Sequence, residues 1–118
     1  MIDVDGVLAY CLGKPGAWRD EPWEGSTVVK AGPRIFCFLG WPTVIGVRCG
    51  AGRDEADEWL ARFPGDAVPM PYRRTSGWNS LALGAGIPDE DLLDAVDVSY
   101  DLVVRSLPRR LRPPGWDG

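Results

Sequence analysis

The part of the sequence that most restricts the fold is residues 78–107, where a short apolar segment leads through a glycine-containing turn into a long helical pattern. Residues 78–83 have the length and composition of a buried strand. From Leu92 onward, apolar residues fall within roughly a third of the helix circumference at about 100° per residue. They are Leu92, Leu93, Val96, Tyr100, Val103, Val104 and Leu107. A helix with one apolar face has to cover a second layer, so the sequence predicts that this helix packs across a sheet.

The ends of this helix and its polar side have a clear charge pattern. Pro88 suits the first helical position, and the three acidic residues after it complement the positive helix start. Glu90 and three further acids, Asp94, Asp97 and Asp101, lie opposite the apolar face. Carboxylates on one straight helix face rarely close around a cation, so we interpret them as a solvated face and predict no metal site.

The middle of the chain contains three short β-type segments, at residues 27–30, 35–39 and 43–48. Gly32-Pro33 and Gly40-Trp41-Pro42 separate them, and such short links join antiparallel neighbours because a parallel crossover needs a dozen or more residues. Residues 18–25, rich in Trp, Pro and acids, are predicted to be a loop. The sequence therefore indicates an antiparallel meander of three strands.

Two further helices are expected. Val7, Leu8, Cys11 and Leu12 recur at helical spacing, with Asp3 or Asp5 as the cap and Gly13 and Pro15 as the stop. A second helix over residues 53–63 ends at Pro64-Gly65, with Ala56, Trp59, Leu60 and Phe63 along one face. The predicted element order is α-β-β-β-α-β-β-α, in one domain over residues 1–112 with a C-terminal tail at 113–118.

Composition excludes several classes of protein. The formal net charge is -4 across 118 residues, so a wholly basic nucleic-acid binder is excluded and any such contact must come from a local patch. The three cysteines are widely spaced and form no CxxC pair, which favours reduced thiols in a cytoplasmic protein over a disulfide framework or a zinc site. No leader pattern and no apolar run of about 20 residues is found, so no membrane association is expected.

Two short motifs resemble enzyme or phosphate sites. Residues 2–8 resemble the first motif of haloacid-dehalogenase-type phosphatases, but only Met1 and Ile2 precede the paired aspartates and no strand can present them. Gly50-Ala51-Gly52 lacks the third glycine of the dinucleotide fingerprint, and we interpret it as a turn. With no histidine, nucleophile–base pair or ligand cluster in the sequence, we predict no catalytic residues, no metal, no cofactor and no enzymatic activity.

One loop combines positive charge, an aromatic ring and loop-forming residues. It covers residues 69–77 and carries Tyr72, Arg73 and Arg74 immediately before Trp78. Guanidinium groups on such a loop can contact phosphates. The alternative is a solvated loop whose arginines pair with nearby acids while Trp78 packs in the core.

Several short segments, spread over almost the whole chain, carry a family resemblance. They are Leu8-Ala9-Tyr10-Cys11-Leu12, Pro15-Gly16-Ala17, Phe36-Cys37-Phe38-Leu39, Arg62-Phe63-Pro64-Gly65, Trp78-Asn79-Ser80-Leu81, Ile87-Pro88-Asp89-Glu90, Ser99-Tyr100-Asp101-Leu102-Val103-Val104 and Leu107-Pro108. In this order and spacing they make the chain similar to the MmcQ/YjbR family of small bacterial proteins. The resemblance implies a two-layer α+β fold, an antiparallel sheet with helices on one face, similar to frataxin-like proteins and secretion chaperones.

The resemblance also implies DNA binding through wing-like hairpins, the double-wing type. Members of the family typically carry a basic loop with His and Asn before the Trp-Asn pair; here residues 72–77 occupy that place without a histidine. The predicted DNA-binding residues are Arg73, Arg74, Trp78, Asn79, Lys30, Arg34 and Arg48. In this hypothesis the arginines of the loop contact phosphates, Trp78 and Asn79 support the loop, and the other three extend the patch.

The alternative hypothesis is an interaction module without DNA affinity. It would hold a protein partner or a small ligand against the open face of the sheet. The unusual Trp content near Trp18, Trp23 and Trp41 favours it, because clustered exposed aromatic residues mark interfaces.

Overall fold

The computed structural model describes residues 1–71, 73 and 75–116. The described residues form three α-helices, six β-strands and one short 3-10 helix. Their bounds are α1 Val4–Leu12, β1 Ala17–Trp23, β2 Ser26–Ala31, β3 Arg34–Phe38, β4 Val44–Arg48, α2 Arg53–Arg62, β5 Ala67–Pro69, β6 Trp78–Ala82, α3 Asp89–Arg105 and the 3-10 helix Arg109–Leu111. No described helix combines the length and the apolar character needed to cross a membrane.

The six strands form one antiparallel sheet in the order β1-β2-β3-β4-β6-β5. All three helices pack on the same face. On that face the Phe36 ring meets the Tyr100 ring of α3 edge to face at 5.2 Å, and Asn79 Nδ2 donates to the Ala56 carbonyl of α2 at 2.9 Å. The predicted two-layer α+β fold is confirmed, and so is the antiparallel meander.

The predicted loop at residues 18–25 is wrong, because most of it is strand β1. Strand β1 pairs with β2 and forms the edge of the sheet, and five of its seven residues are exposed. An edge strand tolerates proline and charged side chains, since one side of its backbone faces water. A segment rich in Trp, Pro and acidic residues is therefore compatible with an edge strand as well as with a loop.

Strand β3 contains a β-bulge at Phe36, where it pairs with β2. Val29 pairs with Cys37 and Lys30 pairs with Ile35, so Phe36 is the extra residue. Such a bulge bends the strand and redirects its side chains. Phe36 packs against the helices, while Ile35 and Lys30 line a cavity on the other face of the sheet.

Helix α1 begins where the paired aspartates lie. Asp3 is its N-cap, and the Asp3 carboxylate accepts a hydrogen bond from the Gly6 N–H at 2.8 Å. Val7 and Cys11 are buried beneath it. The predicted helix is confirmed, and neither aspartate stands at the end of a strand as the phosphatase motif would require.

The first residues of the predicted C-terminal tail pack on the domain instead of fraying. Pro113 is buried, and a Cβ atom at Gly16 would come within 2.7 Å of it. Trp116 Nε1 donates to the Asp101 carboxylate on α3 at 3.1 Å. Residues 113–116 therefore close one end of the layer between α3 and the turn before β1.

The three cysteines are free and buried. Burial raises the pKa of the Cys49 thiol to about 12. A hydrogen bond to Cys11, together with burial, raises the pKa of the Cys37 thiol. Because the thiolate is the reactive form, Cys37 and Cys49 are protected in the folded protein.

Alkylation of the native protein should therefore be slow. At pH 8 the ionised fraction of a thiol with the pKa of Cys49 is about a thousandfold lower than that of an ordinary cysteine. Iodoacetamide should therefore label Cys49 about a thousandfold more slowly than an ordinary cysteine. Intact-mass spectrometry in buffer and in 6 M guanidinium checks this, the denatured chain being the control. Label on Cys49 within minutes in buffer, located by peptide mass spectrometry, would contradict it.

Candidate nucleic-acid interface

The sheet face opposite the helices, called here the outer face, carries a continuous row of paired residues across all six strands. In pairing order these are Asp20, Val28, Phe38, Gly46, Ser80 and Val68. The next row contains Trp18, Lys30 and Ile35 on one side and Arg48 and Trp78 on the other. Residues opposite one another in antiparallel strands point to the same face, so both rows belong to the outer face.

A cavity of about 350 Å³ opens in this second row and is called here the basic cavity. Four cationic side chains line it, together with Trp78 and Ser106. The cationic residues are Lys30, Arg34, Arg48 and Arg73. They come from β2, β3, β4 and the loop before β6, so residues distant in sequence meet at one place.

The cavity lies where β3 and β4 separate. The two strands pair only at Cys37 with Val47 and at Phe38 with Gly46, and the next opposite pair would be Phe36 with Arg48. There the buried Ser99 hydroxyl of α3 bridges the gap: it accepts from Arg48 N–H at 2.9 Å and donates to the Phe36 carbonyl at 2.5 Å. The Arg48 N–H and the Phe36 carbonyl are thus hydrogen-bonded although the two strands do not pair there. The opening between the strands extends to Val103 of α3 and to Ser106, the C-cap of that helix.

The cations differ in how they are held. Lys30 Nζ lies 2.8 Å from the Asp20 carboxylate and 5.2 Å from the centre of the Trp18 ring. The hydrogen bond from Lys30 lowers the pKa of Asp20. Arg48 donates to the carbonyl oxygens of Gly50 and Ala51, each at 3.3 Å.

Arg73 is held by aromatic rings. Its guanidinium lies 5.4 Å from the Phe38 ring centre and 5.2 Å from the Trp78 ring centre, within the range of cation–π attraction. The two rings pack edge to face at 5.4 Å. No carboxylate of the described residues lies within 4 Å of Arg34, Arg48 or Arg73, so these three charges lack an ion-pair partner within residues 1–71, 73 and 75–116.

Trp78 and Asn79 lie beneath the loop. Trp78 is 8% exposed and Asn79 is fully buried. The Asn79 side chain also accepts a hydrogen bond from Arg53, which donates to the Ser76 and Trp78 carbonyl oxygens at 2.9 and 3.1 Å. Asn79 therefore cannot contact a ligand directly and acts as an anchor. Arg74 and Tyr72 lie outside the described residues.

Ser99 and Arg53 were not among the residues predicted from the sequence. Ser99 is a polar residue on the otherwise apolar face of α3. This exception to the apolar pattern could have indicated a buried polar contact. Arg53 lies in the first turn of a helix, where a cation opposes the helix dipole. Its position suggests that another contact holds it there.

A second, apolar cavity of about 720 Å³ lies on the outer face and is called here the apolar groove. Its lining includes Trp41, Pro42, Val44, Val68, Pro71 and Ser80. Trp41 is 46% exposed and Val68 is 43% exposed. Trp18 and Trp23 are also exposed, at 43% and 64%. From the sequence, Trp41-Pro42 was predicted only as part of a turn, and the groove was not predicted.

Within the part of the chain that the structure describes, no three His, Cys, Asp or Glu side chains are grouped so that they could hold a metal ion. The titratable cluster on the helix face consists of Tyr10, Lys14 and Asp97. Tyr10 donates to Asp97 at 2.8 Å, and that hydrogen bond raises the pKa of Tyr10. Lys14 pairs with the same carboxylate, so this cluster joins α1 to α3.

Comparison with known proteins gives a family and a fold. The YjbR family model matches residues 12–102. "Uncharacterized protein YjbR" of Escherichia coli, strain K12, is 25% identical over 113 residues, which cover 94% of this chain and 95% of that protein; the protein of strain O157:H7 gives the same values. The crystal structure of Deinococcus radiodurans protein DR2400, with domain DUF419, matches 94% of this chain and 88% of that chain with a TM-score of 0.80 at 19% identity. Since the family model covers most of the described chain, the protein belongs to the YjbR family.

Proposed function

We propose that the protein binds DNA, and that the basic cavity is where phosphates are held. The observation that carries the proposal is the convergence of four cationic side chains on one cavity, three of them without a carboxylate partner among the described residues. Lys30, Arg34, Arg48 and Arg73 are the proposed phosphate contacts. Arg74 is proposed from its place in the sequence, beside Arg73.

The charge distribution supports a local mode of binding. The chain as a whole has a net charge of -4, so distant attraction of a polyanion is weak and contact depends on the cavity. Guanidinium groups suit phosphate because they donate in a planar fork. The described lining offers cations and one serine hydroxyl and no general base, which favours binding over catalysis. We also propose a cytoplasmic location, where DNA is accessible and free thiols such as those of this protein stay reduced.

Salt dependence is the first expected result. Each phosphate neutralised by a cation releases counterions, so the slope of log K against log salt is about −0.9 per contact on duplex DNA and about −0.7 on a single strand. Fluorescence anisotropy of a labelled single-stranded 20-mer between 20 and 200 mM NaCl should give a slope of about −3 for the wild type, from the four proposed contacts. Each of Arg34→Ala and Arg48→Ala should reduce the slope by about 1.

Arg62→Ala is the matched control, because Arg62 is an exposed arginine on the helix side of the molecule, paired with Asp91 at 3.2 Å. It removes the same formal charge without touching the cavity and should keep the wild-type slope. Thermal melting of each variant separates lost binding from lost folding. An absence of salt-sensitive association for the wild type, or a cavity variant that binds like Arg62→Ala, would refute the proposal.

A protein partner on the outer face is the second candidate function. The exposed side chains of Trp18, Trp23 and Trp41 favour it, since large exposed aromatic residues are typical of interfaces. Such an interaction would depend on Trp41 and would persist at high salt, whereas phosphate binding would not.

A further inference from the structure

We infer that the nucleic acid bound is single-stranded, with phosphates in the basic cavity and an unpaired base in the apolar groove. The inference rests on the proposed function and specifies its ligand. Its basis is the adjacency of two cavities of different chemistry on one face of one sheet.

The two cavities share their structural elements. Trp78 lines the basic cavity and Ser80 lines the apolar groove, and these two residues are successive outer-face positions on β6, about 6.7 Å apart. Likewise, Pro71 lines the groove and Arg73 lines the cavity, at most about 7.6 Å apart along the same loop. A nucleotide has its phosphate at one end and its base at the other. The basic cavity suits the phosphate, and the neighbouring apolar groove suits the base.

On β4, Gly46 lies between Val44, which lines the apolar groove, and Arg48, which lines the basic cavity. A Cβ atom at this position would lie 2.9 Å from Met70 Sδ and 3.2 Å from Phe38 Cβ, so glycine allows the Met70 side chain to pack on the sheet between the two sites. Met70 is 5% exposed, so its side chain fills the space over Gly46 and leaves no gap there. The sugar of the nucleotide would bridge this stretch of the face, between a phosphate on one side and a base on the other.

The chemistry of the groove favours a base over an aliphatic ligand or a peptide. Trp41, Pro42 and Pro71 offer flat or rigid apolar surface, and base stacking on an aromatic ring contributes about 1–3 kcal/mol per base. A purely apolar partner would leave the neighbouring arginines without counter-charge. An anionic ligand with planar apolar groups satisfies both cavities.

The same geometry discriminates against duplex DNA. In a duplex the bases stack on each other inside and the phosphates lie outside, so a duplex can reach the basic cavity but can place no base face on Trp41. A single strand exposes its base faces. The groove should therefore add affinity for single strands only.

The experiment compares three labelled probes by anisotropy at fixed salt: a thymidine 20-mer, an abasic 20-mer with the same phosphates, and a 20-bp duplex. The thymidine strand should bind about 5- to 150-fold more tightly than the abasic strand. Trp41→Ala should remove that advantage, leave binding of the abasic strand unchanged and keep the salt slope. Trp41→Phe should restore much of it, because a ring remains.

Trp23→Ala is the control, since Trp23 is more exposed than Trp41 and lies on β1, outside the described lining of the groove. It should bind all three probes as the wild type does. Duplex bound as tightly as the thymidine strand, or Trp41→Ala binding that strand like the wild type, would overturn the inference and leave the phosphate site intact. Failure of all three probes to bind would instead refute the proposed function.

Discussion

Replacing Gly77 by alanine should lower the free energy of unfolding by about 3 kcal/mol or more, at or above the upper end of overpacking effects. A Cβ atom at position 77 would lie 2.0 Å from the Gly50 carbonyl oxygen and 2.8 Å from its carbon. The atoms in the way belong to the backbone of Gly50, which cannot move aside as the end of a flexible side chain can. The two segments are also joined by a hydrogen bond from the Cys49 N–H to the Gly77 carbonyl at 2.8 Å, which would be lost if they separated.

Gly52→Ser is the matched control for this prediction. Gly52 is the N-cap of α2 with φ −145°, and a Cβ atom there would meet no atom within 4 Å. Serine is a preferred N-cap, so this change should be neutral or stabilising by a few tenths of a kcal/mol. Urea denaturation followed by Trp fluorescence measures both variants. A Gly77→Ala protein as stable as Gly52→Ser would show that the loops around residues 50 and 77 can move apart at little cost.

The elements with a strong hydrophobic period could be predicted from the sequence. Helix α3 was recognised because seven apolar residues share one face, and burial of Leu92, Val96, Tyr100, Val103 and Val104 agrees with that pattern. Strand β1 could not be recognised, because both the edge position and solvent exposure suppress the alternation that identifies a strand. A hydrophobic period reflects burial of one face, and β1 has five exposed residues out of seven.

The candidate site was predictable in its charges and not in its shape. Lys30, Arg34 and Arg48 lie on consecutive antiparallel strands, so a meander brings them near one another. The cavity itself depends on the bulge at Phe36 and on the Ser99 bridge, which arise from tertiary contacts between α3 and the sheet. The apolar groove depends on Val68 of β5 lying beside Ser80, a pairing that the sequence alone does not specify.

Arg53 is expected to be the main anchor of the loop that carries Arg73. Arg53→Ala removes charge-assisted hydrogen bonds to Ser76, Trp78 and Asn79 and should lower the free energy of unfolding by about 2–4 kcal/mol. Arg62→Ala in the same helix should cost less than about 1 kcal/mol, since its ion pair with Asp91 is solvent-exposed. Denaturant titration compares the two variants directly.

A double-mutant cycle between Arg53 and Asn79 tests how the anchor works. Asn79→Ala alone should cost about 3 kcal/mol, because it empties a buried site and removes the acceptor of Arg53. The double variant should be more stable than the sum of the single effects predicts, by about 1 kcal/mol, since the interaction is lost only once. The same single variants should also weaken binding of a DNA strand by displacing Arg73, although neither residue is in the described lining of the basic cavity. Additive stabilities with unchanged binding would mean that the loop is held by the rings of Phe38 and Trp78 alone.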